Sequence, residues 1–270
     1  MRFASHRDVA RAFERGVRRA GLPIAYSAGF TPHPRISYAG GAPTGVASEA
    51  EYLSLALTER QAETQVCQRL DAALPDGIDV IDVIDAARGV WGDGSRQDRG
   101  VPKGGPGGPV PPGESRRAPG PALSRLEASE WRVVLPGVGP VAAQRAVAGF
   151  LELGEAPVER LTDKGVRRLD ARAAVIELDV LSEHDPAGSG GRPQAPAEAA
   201  DPHGGERAAV TGLEDCAILR MVVLHMAPAV RPDDVLTALR DRYRLVPSSP
   251  PTTTRLAQGP LALLAGTRAS

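Results

Sequence analysis

The chain has 270 residues, enough for one or two domains that each bury a core. Its 42% hydrophobic and 24% charged content is ordinary for a globular protein; with no apolar run near the ~18 residues of a membrane span and no signal-peptide core, the cytoplasm is the expected location. Cys67 and Cys216 are the only cysteines and form no CxxC pattern, which argues against a disulfide framework, a cysteine zinc site or a three-cysteine iron–sulfur site.

The net charge of −1 hides an asymmetry: residues 1–40 carry seven arginines against Asp8 and Glu14, so the remainder is net acidic. Lysine occurs only at 103 and 164, and the abundance of Arg, Ala, Gly and Pro follows a GC-rich coding bias. Only where arginine is placed therefore bears on partners. In chain order, residues 2–4 read as the tail of a strand and Ser5 as the start of a helix, with Asp8 completing a capping signature. On that helix Val9, Phe13, Val17 and Ala20 share one face and Arg7, Arg11, Arg15 and Arg18 the opposite one. Gly21 and Pro23 stop it. Strands are expected at 34–39 and 51–57, a helix at 59–74 with Ala62, Val66 and Leu70 inward, and a strand at 78–84. Asp79, Asp82 and Asp85 interrupt that last segment, which suits a sheet edge.

Residues 88–126 are rich in Gly, Pro, Ser and Arg and read as a flexible linker. Beyond it, strands are expected at 131–135, 217–226 and 252–257, and helices at 140–152 and 232–243. Residues 158–161 and 171–181 read as a strand pair flanking 162–170, and 183–212 as a disordered insertion. The order strand, helix, strand, strand, helix, strand in each half predicts an α+β protein of two ferredoxin-like (βαββαβ) domains in tandem. These domains cover 1–87 and 127–260, the second interrupted by the insertion, with 261–270 as a tail. Only Arg2-Phe3-Ala4 read as strand before the first helix, so the first strand is expected to be truncated.

Three stretches carry a family resemblance. The first runs from Ser5-His6-Arg7-Asp8 through Arg18-Arg19-Ala20-Gly21-Leu22-Pro23 to Ala25-Tyr26-Ser27-Ala28-Gly29-Phe30-Thr31-Pro32-His33-Pro34, and on to Gly45, Ser48, Glu49 and the Glu51-Tyr52 pair. The second is Lys164-Gly165 with Arg167, Asp170 and Arg172, and the third Arg231-Pro232-Asp233-Asp234 with Thr254-Arg255. Together they resemble the radical-SAM-linked protein family, bacterial proteins fused to or encoded beside cobalamin-type radical SAM proteins. The resemblance implies a radical SAM protein as partner and a context near RNA, and assigns no catalytic residue.

Two basic clusters are candidates for RNA: Arg7, Arg11, Arg15 and Arg18 with Arg35, and Lys164, Arg167, Arg168 and Arg172. The alternative for both is a solvated surface. His6, His33 and Tyr26 are the acid–base candidates, with Pro32 and Pro34 pinning the loop around His33; their plain alternative is to cap backbone groups. A metal would need a third ligand that only Asp8 or Glu49 offers, so no metal and no cofactor is expected. Arg231-Pro232-Asp233-Asp234 reads as a helix start. His225 is read as a strand residue without a clustering partner. The leading functional expectation is a non-catalytic, RNA-binding or substrate-presenting accessory of a radical SAM enzyme. The alternatives are a metal-independent RNA-processing enzyme built on His6, His33 and Tyr26, and a protein–protein adaptor.

Overall fold

A computed structural model describes residues 6–86, 123–162, 165–181 and 216–265. The strand expected at 2–4, nearly all of the linker and the whole insertion lie outside the described residues. The chain is a mixed α+β protein that divides into two compact units, 1–128 with 257–270, and 129–256.

In the first unit, α1 (His6–Arg19) buries Ala12 and Val17, with Ala20 buried just beyond its end, while its arginines at 7, 11, 15 and 18 face solvent. Gly21, at φ 59°, ends it in the left-handed conformation that glycine adopts without strain. β1 (Ile36–Tyr38) pairs antiparallel with β3 (Leu53–Leu55), while β2 (Ala47–Ser48) lies beside a later strand. α2 (Glu63–Asp71) closes the core with Val66 and Leu70, against which Phe13, Ile36, Leu55 and Leu57 pack. The two helices cap each other. Arg19, in the last turn of α1, donates to Ala73 O beyond α2 (2.5 Å), and Arg69, in the last turn of α2, donates to Gly21 O beyond α1 (2.7 Å). Each cation thus meets the negative end of the other helix.

The strand expected at 78–84 is absent. Its own acids and its neighbours' replace a ladder: Val80 N donates to Asp71 Oδ1, Val83 N to Asp82 Oδ1 and Asp85 N to Glu63 Oε1. Val80 and Val83, three residues apart rather than two, are the side chains that reach the core. No four-stranded sheet forms among the described residues of this unit.

The second unit follows the expected element order more closely. It contains β4 (Ala128–Pro136), α3 (Pro140–Leu151), β5 (Pro157–Thr162), β6 (Gly165–Asp170), α4 (Ala171–Ala174), β7 (Val175–Leu181), β8 (Cys216–Leu224), α5 (Pro232–Tyr243) and β9 (Thr252–Gly259). The sheet runs β9-β4-β8-β7, with β2 of the first unit next to β9, whose residues 257–259 belong to that unit. α6 (Leu261–Leu264) follows. Trp131, Val133 and Leu135 alternate into the core with Leu219 and Met221, and α3 packs on β7 and β8. Where α3 meets α5, Gly149 leaves room for the Tyr243 ring, since a Cβ there would lie 2.5 Å from Cε1.

The pairing expected between 158–161 and 171–181 is also corrected. β5 pairs with β6, from Pro157 opposite Asp170 to Thr162 opposite Gly165, and β7 pairs with β8. The Asp170 carboxylate redirects the chain by accepting from Ala156 N (2.8 Å) and Arg172 N (3.0 Å), which starts the single turn of α4.

Candidate nucleic-acid interface

The exposed face of α1 presents Arg7, Arg11, Arg15 and Arg18 over three turns, at steps of about 6 Å along the axis for each i,i+4 pair. From Arg15 to Ser48 the sequence contains no Asp or Glu, and Arg15, Arg18, Arg19 and Arg35 stand within that span. Under the helix, Tyr38 donates its hydroxyl to Ala10 O (3.3 Å) and meets the Phe13 ring edge-on at 6.4 Å. Burial, helped by the Glu14 charge, pushes the Tyr38 phenol up to about 12.

After α1 the chain forms a narrow ribbon over 25–35. Arg35 N donates to Ala25 O (2.8 Å), Ser27 N to His33 O (2.9 Å), and His33 N to the Ser27 hydroxyl (3.0 Å); Tyr26 sits opposite Pro34. Tyr26, Phe30, His33 and Arg35 are all exposed on this ribbon. Among the described residues neither the Tyr26 hydroxyl nor the His33 ring has a hydrogen-bond partner, so the acid–base pair expected from the sequence is not joined. The side chain of His6, the third member, lies outside the described residues.

The second basic cluster is divided by the fold. Arg167 and Arg168 are exposed on β6; Arg168 faces Glu159 across the hairpin at 3.5 Å, a solvated ion pair of little energetic weight. Arg172 turns inward. Its Nη1 donates to Val175 O (2.9 Å), and its Nε and Nη2 reach Leu151 O at the end of α3. Lys164 lies outside the described residues.

Several polar groups that invite a catalytic interpretation serve the fold instead. Asp234 accepts from Arg231 N (2.7 Å) and from Arg160 Nη1 (2.7 Å), fixing the start of α5 against β5. Burial raises the Asp234 carboxyl pKa, against the downward pull of that N–H bond and of Arg160. His225, one residue beyond β8, does have a partner: its Nε2 lies 2.6 Å from Ser129 Oγ. Ser129 is only 1% exposed, so its hydroxyl is closed to a substrate. The ≈450 Å³ cavity lined by Arg19, Arg69 and Leu74 lies between the C-terminal ends of two helices, where both guanidinium groups already bind carbonyls. Among the described residues no three His, Cys, Asp or Glu side chains are grouped to hold a metal ion, and no helix is long and apolar enough to cross a membrane.

The model of a family described as an uncharacterized protein conserved in bacteria, DUF2344, matches residues 1–92 and 113–232. That is most of the chain. This protein belongs to the DUF2344 family. No curated protein and no solved structure matches it. The matched DUF2344 segments contain both the α1 arginines and the 25–35 ribbon, so both belong to the family's own region of the chain.

Sequence patterning finds the α1 arginines, because helical periodicity sorts them from the core residues. It misses two features. Arg220, on β8, lies amid an apolar run and gives no periodic signal, yet it binds Glu130 Oε1 (2.5 Å) and Glu177 Oε2 (2.6 Å) across three strands. Phe30, an aromatic in a Gly/Pro loop, gives no sign by spacing alone that it stays fully exposed.

Proposed function

We propose that this DUF2344 protein is a non-catalytic cytoplasmic accessory that binds RNA through the arginine face of α1 and presents it to a radical SAM enzyme. The observation carrying this reading is the exposed ridge Arg7–Arg11–Arg15–Arg18, opposite the buried Val17 and Ala20 and followed by 33 residues, 16–48, without an acid. Guanidinium groups in such a row suit phosphate oxygens, which accept their paired N–H donors. The radical SAM partner rests on the resemblance carried by the three sequence stretches. The exposed Arg167 and Arg168 offer a second, smaller contact.

The second unit is read as ferredoxin-like: its β-α-β-β-α-β order, with the hairpin β5–β6 inserted, gives the spatial order β9-β4-β8-β7. Replacing Arg7, Arg11, Arg15 and Arg18 together by Gln tests the RNA reading. Affinity for single-stranded RNA should fall, and the slope of log K against log salt should flatten by about 3, since each phosphate contact contributes roughly 0.7. An unchanged slope returns the ridge to a merely solvated face.

A further inference from the structure

We propose that the 25–35 ribbon is a stacking finger on which Phe30 receives an unpaired base of the bound RNA. This inference rests on the RNA reading above and adds what part of the RNA is contacted. The ribbon is anchored at its base: Ala25 N donates to Ala56 O (2.7 Å) and Ala56 N to Arg35 O (3.0 Å), and the flanking Ile24 and Ile36 belong to the first core. Nearer its tip it is closed by the Ser27–His33 pair of hydrogen bonds, with Pro32 and Pro34 fixing φ on the return strand. Gly29 turns the tip at φ +129°, a conformation side-chain-bearing residues rarely adopt, with nothing within 4 Å of where a Cβ would stand.

A tip held this way presents Phe30 wholly to solvent and Tyr26 47% exposed. The other described phenylalanines behave differently. Phe13 packs on the first core and Phe150 is fully buried. In a chain with only four Phe, placing one on an anchored tip gives the fold no packing in return.

The surroundings select the ligand. A protein-docking tip would set its aromatic among other large apolar side chains, because interface cores are apolar and poor in charge. Phe30 is instead flanked by Ala28, Gly29, Thr31 and Pro32, with His33 and Arg35 following and no acid between Arg15 and Ser48. An exposed ring followed by an arginine, in a stretch of sequence without carboxylates, suits a base attached to a phosphate backbone, and every base offers a π-face to it. Double-stranded RNA keeps its bases stacked on each other and leaves this finger nothing to bind.

The test uses the full chain and a fluorescent mixed-sequence RNA of about a dozen nucleotides, single-stranded or annealed to its complement, within the range of common single-strand sites. Phe30→Ala should weaken single-strand binding by about 5- to 150-fold, the range for loss of one stacked base, with its salt slope unchanged and duplex binding unaffected. Phe30→Trp should restore affinity, and its added indole emission should be quenched by RNA. Unchanged thermal unfolding of both variants confirms that the fold is retained. Full affinity in Phe30→Ala, alongside weak binding by the four-arginine variant, overturns the finger and leaves the RNA reading standing. Absence of RNA binding by the native chain overturns both. If Phe30→Ala keeps its RNA affinity but loses a protein partner that the native chain captures, the tip is a protein-docking element and the finger is refuted.

Discussion

Arg220 gives the sharpest test of what holds the second unit together. It is 7% exposed on β8, with Glu130 on β4 and Glu177 on β7 at 2.5 and 2.6 Å and Asp179 at 3.9 Å. Burial opposes its charge, but the hydrogen bonds it donates to Glu177 and Glu130, together with their negative charges, outweigh this and raise its pKa. Arg220→Met keeps most of the volume and leaves three carboxylates without their shared cation. Removing one partner of a buried pair costs about 3–5 kcal/mol. The carboxylate side chains are 17%, 27% and 25% exposed for Glu130, Glu177 and Asp179, so water takes up part of the charge and the lower end, about 3 kcal/mol, applies. Urea unfolding can be followed through Trp131, 5% exposed in this unit, in a Trp91→Phe background. The midpoint should fall by about 1–3 M, from typical urea m-values. Adding Glu130→Gln and Glu177→Gln to Arg220→Met should recover most of the loss. A midpoint shift under about 0.5 M on that scale, or no recovery in the triple variant, would refute the electrostatic account and leave Arg220 as a packing residue.

At the crossing of α3 and α5, Gly149→Ala sets a methyl against the Tyr243 ring and should cost about 1–3 kcal/mol by overpacking. In a Tyr243→Ala background that cost should disappear; additive costs in the denaturation cycle would show that the two side chains do not meet. Tyr38, raised to about 12 from 10.0, favours the neutral phenol in the folded state. The stability it contributes is therefore complete below pH 10.0 and lost as pH rises through about 12. In a tyrosinate absorbance titration of the folded chain, Tyr38→Phe should remove a step near 12, and a spectrum unchanged by that substitution would contradict the burial of this hydroxyl.

What the sequence made legible follows from which forces act locally. α1 and α5 are readable because periodicity, glycine stops and an Arg-Pro-Asp-Asp start all act within a few turns. Strands β4 and β8 are readable because β4 alternates Trp131, Val133 and Leu135 into the core and β8 buries Leu219, Met221, Val222 and Val223. β6 is not, since Val166, Arg167 and Arg168 are exposed and only Leu169 is buried. Its existence depends on pairing with β5 and on Gly165 at φ +103°, neither of which is a pattern in the segment itself. The segment 78–84 misleads for the converse reason: its Val and Ile content suits a strand, while the carboxylates of Asp71 and Asp82 accept from Val80 N and Val83 N, and Glu63 accepts from Asp85 N just beyond it. Of the candidate site residues, the α1 arginines were legible from helical geometry alone. The inward turn of Arg172 was not, because it depends on where α3 ends.

The distribution of charge also decides where RNA contact should be sought. Ferredoxin-like RNA binders commonly use the open face of the sheet, with aromatics that stack bases. In this second unit the face opposite the Trp131–Val133–Leu135 row gathers Glu130, Glu177 and Asp179 around Arg220, with Arg132 two residues from Glu130 on the same face of β4. The row's one aromatic, Trp131, is buried with the Arg255 guanidinium 4.6 Å from its ring centroid. Those groups leave no excess of cations to hold phosphates, and the face offers no ring. The first unit differs on both counts, with four exposed arginines against Asp8 and Glu14 on α1, and exposed rings at 26 and 30 in a stretch without acids. If RNA is bound, reversing charge on the Arg220 cluster's carboxylates should therefore leave its affinity unchanged, while changes on α1 should not.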